Sequence, residues 1–141
     1  MVFIRRIFLP VFIATLWISV SEFGRNEFLF KTIWIEHYRN LEMIFPADPI
    51  NGAFWGVWSL FFAILIFVIS RRFTQNETTL IAWFAGFGMM WIVVWNMKVL
   101  PLGIFPKVLP LSFLEAYVAT LIIRKISPAY KNKISTPADP K

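Results

Sequence analysis

Apolar residues arrive in four long blocks, separated by short basic, polar or proline-bearing stretches. The clearest block runs from Ile50 to Ser70, carries no charged residue, and is bounded by Asp48-Pro49 and Arg71-Arg72. At about 1.5 Å per helical residue such a run just crosses a hydrocarbon layer of roughly 30 Å. In lipid the backbone must satisfy its own hydrogen bonds, so the pattern predicts a helix. Asp48 is placed to cap it and Pro49 suits its first position. Gly52, Gly56, Ser59 and Ala63 share one face, a small-residue stripe along which another helix can approach closely.

The first block, Val2 to Val20, predicts a helix over 2–20 kinked early by Pro10. Its basic start and the small-x-small run Ser19-Val20-Ser21 also fit a cleaved signal segment. A retained helix with Arg5 and Arg6 reaching toward the headgroups is the reading taken here. In the following connection Phe30, Ile33, Trp34, Tyr38, Leu41, Ile44 and Phe45 recur at helical spacing. Glu27–Lys31 and Glu36–Arg39 can pair on the other side. An amphipathic helix over 27–45, lying in the membrane interface and ended by Pro46, is expected.

A polar turn, Arg71 to Glu77, precedes another uncharged run that predicts a helix over 78–97. Ala82, Ala85, Gly86 and Gly88 narrow its middle. The link from Lys98 to Leu109 is broken by Pro101, Gly103 and Pro106 and is expected to rest on the membrane or dip into it. The last helix is expected over 108–126, and the basic, proline-bearing tail over 127–141 is expected to be disordered. The fold class is all-α integral membrane. It is a four-transmembrane-helix bundle in one domain, residues 1–126, with an extracytoplasmic amphipathic interfacial helix.

Composition supports this. Of 141 residues, 58% are hydrophobic and only 16% charged, too apolar for a soluble domain of this size. The absence of cysteine excludes disulfides, thiolate metal sites and thiol catalysis, and the single histidine excludes a polyhistidine site. A net charge of +6 fits bracketing of the apolar runs better than nucleic-acid binding. With four spans, one side collects Arg5, Arg6, Arg71, Arg72, Arg124, Lys125, Lys131, Lys133 and Lys141 against Glu77 and Asp139. The other side is balanced between bases and acids. Both termini are therefore expected in the cytoplasm, with the protein in the plasma (inner) membrane.

Glu115 is the sharpest chemical candidate, because a carboxyl in mid-span is costly and usually faces a protein interior or water. It could bind and release protons or a cation. Ser112, Ala116, Ala119 and Thr120 lie on its side of the helix, and Ser59, Gly86 and Gly88 are expected at its depth. Asn96 and Lys98 close the third helix. Lys98 either reaches outward or turns in toward Glu115. Trp55, Trp58, Trp91 and Trp95, with Trp17 and Trp34, map to the outer half and suggest an aromatic belt or a pocket for a lipid or isoprenoid.

No phosphate loop, metal-ligand spacing or nucleophile motif is present, and no metal or cofactor is expected. The leading expectation is a helix-packing, oligomeric or accessory subunit of a membrane assembly. Its partners would be the bilayer, further copies or other membrane subunits. A small proton- or cation-coupled carrier or binder of an amphiphilic ligand, using Glu115, is the alternative. A membrane-embedded lipid-modifying enzyme using His37, Arg39 and Glu42 is the third.

Overall fold

The computed structural model describes residues 4–127, so most of the predicted disordered tail lies outside the described residues. Among the described residues four helices are long and apolar enough to cross a membrane: α1 (Ile4–Asn40), α2 (Pro49–Ile69), α3 (Gln75–Asn96) and α4 (Leu102–Ile126). No strand occurs among the described residues. The helix predicted over 2–20 and the first part of the one predicted over 27–45 form one rod of 37 residues, Ile4–Asn40, about 55 Å long. Nothing in Ser21–Asn26 stops a helix except Gly24, and Gly24 itself holds right-handed helical dihedrals. A π-helical turn over Arg25–Phe30 joins the apolar part of α1 to its amphipathic end. Further π turns open α1 at Ile4–Phe8 and interrupt the middle of α3 at Phe84–Gly88.

Helix α1 packs against α2 and α4, α4 also packs against α3, and α2 touches both α3 and α4. The contact surfaces are built from small side chains. Ala14, Ser59, Ala63, Ala82, Ala116 and Ala119 are all fully buried, and their small side chains let the backbones come close. Larger rings fill the remaining space. Phe62 stacks on Trp58 at 5.0 Å and meets Phe87 edge-on at 5.4 Å, and Phe87 lies 5.6 Å from Trp91. Gly86 is required here, because a Cβ would sit 2.6 Å from Phe62 Cε2. The outward positions of all four helices, among them Leu16, Phe61, Leu80 and Leu114, form an exposed apolar jacket.

The turn between α2 and α3 ties one end of the bundle together. Arg71 lies over the Phe67 ring at 4.0 Å and donates to Ser127 Oγ at 2.6 Å and to the Arg6 carbonyl at 3.3 Å. Arg124 donates to the carbonyls of Ser70 and Phe73. The start of α1, the α2–α3 turn and the end of α4 therefore meet.

Three boundaries and one cap differ from the sequence expectation. Helix α1 stops at Asn40 rather than at residue 45, because the chain turns at Leu41 and Glu42, where Glu42 has positive φ. Helix α3 begins at Gln75 because Thr74 and Glu77 form a capping box. The last helix begins with a 3₁₀ turn at Leu102–Ile104 and continues as α-helix from Phe105. Pro106 falls in its first turn, where a missing N–H costs nothing, and Pro110 is absorbed inside it. Asp48 occupies the position before α2 in extended conformation, but its side chain makes no capping bond.

Candidate functional site

The inward face of α1 descends through Pro10, Ala14, Ile18, Glu22 and Arg25, each buried and each three or four residues from the last. The facing side of α4 is Ser112, Glu115, Ala116, Ala119, Thr120 and Ile123. Between these faces, Glu115 Oε2 accepts from Ser21 Oγ at 2.9 Å and from Arg25 Nη1 at 3.0 Å. Arg25 Nη2 is paired with Glu22 Oε1, and Asn26 Nδ2 donates to Glu22 Oε2 at 2.8 Å. Trp17 Nε1 donates to the Glu115 backbone carbonyl at 3.1 Å, fixing the two helices in register. The guanidinium also lies 5.3 Å from the centre of the Phe87 ring, inside the π turn of α3.

Three charged side chains are thus held almost wholly out of solvent: Glu22 and Arg25 are each 5% exposed by side chain and Glu115 is 0%. Two acids share one guanidinium. Helix α2 contains no titratable residue and α3 contains only Glu77, in its first turn, so no other cation comes from those helices. Fully ionised, the cluster carries one uncompensated negative charge. An unpaired buried ion costs several kcal/mol, so ionising both acids against the one guanidinium leaves a charge buried at that cost. Glu115 Oε1 and Arg25 Nε are both buried without a hydrogen-bond partner.

A cavity of about 540 Å³ opens beside this cluster, between α1, the 45–49 connection and the N-terminal half of α2. Glu22 and Asn26 reach it from the cluster, Asp48 borders it, and Gly52, Gly56 and Ser59 line its α2 wall. The small-residue stripe of α2 is therefore divided. Ser59 and Ala63 are buried against neighbouring helices, whereas a Cβ on Gly52 or Gly56 would meet nothing within 4 Å.

The expected site residues are brought together only in part. Glu115 is buried on the inner face of α4, but Arg25 is its cation; Lys98 is exposed, with positive φ at the end of α3, and Asn96 is exposed beside it. Trp55 lines the cavity, half exposed, and contacts Trp58 at 5.9 Å. Trp91 is buried against Phe105, and Trp95 faces outward. Gly86 admits Phe62, while Gly88 faces Phe84 of its own helix. Ser112 accepts from Trp83 Nε1 at 3.0 Å rather than meeting a ligand. His37 contacts the Lys98 carbonyl at 3.3 Å, Arg39 and Glu42 are exposed, and none of these three lines the cavity. Among the described residues no group of His, Cys, Asp or Glu could hold a metal ion.

Sequence reasoning missed Ser21, Glu22, Arg25 and Asn26, all assigned to a polar connection. The signal was available. Ala14, Ile18, Glu22 and Arg25 keep the helical step across Val20, and Glu22–Arg25 is an i,i+3 acid–base pair. Comparisons with protein-family models, curated proteins and solved structures match none of them to this chain.

Proposed function

We propose that the chain is an integral membrane protein that exchanges a proton or cation at the Glu22–Arg25–Glu115 cluster, acting as a small carrier or binder of an amphiphilic ligand. The observation that carries this reading is the buried imbalance of two carboxyls and one guanidinium. A purely structural ion pair needs one of each. Depth supports it too. Glu115 lies twelve residues from Ser127, which meets Arg6 and Arg71 at the basic end, hence about 18 Å into the bundle. With that basic end at the cytoplasmic face of the plasma membrane, both termini lie inside and the amphipathic end of α1 lies outside. A wholly apolar isoprenoid fits the cavity less well, since it would leave Glu22 and Asp48 without partners.

Reconstitution into proteoliposomes tests the proposal. An imposed pH gradient should drive uptake of ethidium, an amphiphilic cation, by the wild type and not by Glu115→Gln. Equal uptake by both would remove the carrier reading.

A second reading, an oligomeric or accessory subunit, is favoured by the open space over Gly52 and Gly56. A second copy or another membrane subunit approaching there would close the cavity. Light scattering of the purified chain in mild detergent distinguishes it: a monomer whose mass is unchanged by Gly56→Leu contradicts association through this face.

A further inference from the structure

We infer that the cavity beside the cluster is the binding site for an organic ammonium, an amine cation on an apolar or aromatic body, with Glu22 as the carboxyl that receives it. This rests on the exchange reading above and specifies its substrate class. The lining carries three acids, Glu22, Glu27 and Asp48, and the one base Lys31, which is tied to Glu27. Asp48 enters no ion pair among the described residues and makes no capping bond. Glu22 accepts one bond on each oxygen, from Arg25 and Asn26, and a carboxylate has lone pairs for about four. The wall therefore offers acceptors and negative charge but no free cation for a phosphate or carboxylate. Phe23, Phe45 and Trp55 give the same space aromatic surface suited to an apolar body or to a cation held over a ring. The volume of about 540 Å³ falls within the usual range for small organic ligands. A bare divalent ion would want six or so oxygens, more than this wall groups together.

The exchange balances. An ammonium arriving at Glu22 supplies the positive charge the cluster lacks. Arg25 then serves Glu115, whose carboxyl O–H breaks and releases its proton to solvent. One positive charge enters and one leaves. The groups facing Glu115 are Glu22 and Arg25 of α1; α2 offers none, and α3 carries only Glu77, at its far end. The ammonium could belong to a soluble amine or to the ethanolamine headgroup of a phospholipid.

Calorimetric titration of the full chain in dodecylmaltoside micelles tests this, with phenethylammonium as probe and 3-phenylpropionate as its size-matched anion. The ammonium should bind and the anion should not. Glu22→Gln should weaken binding by at least about tenfold, Glu22→Asp should keep most of it, and Asp48→Asn, an exposed change that leaves the helices intact, should weaken it several-fold. Repeating the titration in buffers of different ionisation enthalpy should give about one proton released by the wild type and none by Glu115→Gln. Competition by dihexanoyl-phosphatidylethanolamine supports the site and assigns it to a headgroup; indifference to that lipid supports it and assigns it to a free amine. Equal binding of the anion, or unchanged affinity in both Glu22→Gln and Asp48→Asn, overturns the inference. If phenethylammonium fails to bind while ethidium uptake still depends on Glu115, only the ammonium assignment falls. If it binds with the stated pattern and uptake is absent, the cavity stands and the carrier does not.

Discussion

Replacing Arg25 with methionine keeps much of the side chain's length and removes its charge. The wild-type guanidinium holds Glu22 and Glu115 on separate helices and faces the Phe87 ring. At an effective dielectric constant of about 20, each ion pair at about 3–4 Å is worth roughly 4–6 kcal/mol before desolvation is subtracted. Removing one partner of a buried pair typically costs about 3–5 kcal/mol net, because a charge or an unsatisfied group is left behind. Arg25→Met should lose that much. Glu115→Gln should be nearly neutral, within about 1 kcal/mol, because it removes the surplus acid and leaves Glu22 and Arg25 balanced. The triple variant Glu22→Gln/Arg25→Met/Glu115→Gln should recover most of the loss. Equilibrium unfolding in mixed micelles titrated with dodecyl sulfate, followed by tryptophan fluorescence, measures all three. If Glu115→Gln costs as much as Arg25→Met, the cluster is an ordinary ion pair and the charge-imbalance argument fails. If the triple variant is no better than Arg25→Met, electrostatics is not what the cluster contributes.

Other substitutions probe the packing. Gly86→Ala drives a methyl to 2.6 Å from the buried Phe62 ring and should destabilise by about 1–3 kcal/mol; Gly56→Ala, which meets nothing within 4 Å, should be neutral or slightly stabilising in the same unfolding assay. Ser112→Ala strips the buried hydroxyl that accepts from Trp83 Nε1 and should cost about 1–3 kcal/mol, with a shift in the Trp83 emission. Arg71→Ala removes the clasp between Arg6, Phe67 and Ser127, and amide exchange over residues 4–9 should speed up while that over 58–66 stays unchanged.

The four apolar blocks were legible because each is a long run with few breakers and a length that favours helix, and Ile50–Ser70, uncharged throughout, shows this most plainly. The burial of Glu115 was legible from Ala116, Ala119 and Thr120 on its side of α4. Its partner was not. Ser21–Asn26 reads as a polar connection when hydropathy is averaged along the chain, yet its polar groups are satisfied across the helix interface, which a linear pattern does not encode. The same blindness hid the continuity of α1, since a π turn shifts the register between its apolar and amphipathic parts. Thr74-x-x-Glu77 was a readable helix start passed over among the polar residues of the turn. The divided role of the Gly52–Ala63 stripe depends on where the 45–49 connection runs, and local spacing does not determine that.

Infrared difference spectroscopy on chain carrying carboxyl-labelled glutamate reads the protonation of the cluster itself. With no amine present at neutral pH, the account predicts one protonated carboxyl band in the wild type that disappears in Glu115→Gln and falls when phenethylammonium is added. A spectrum in which every glutamate is ionised, or a protonated band untouched by Glu115→Gln, would contradict it.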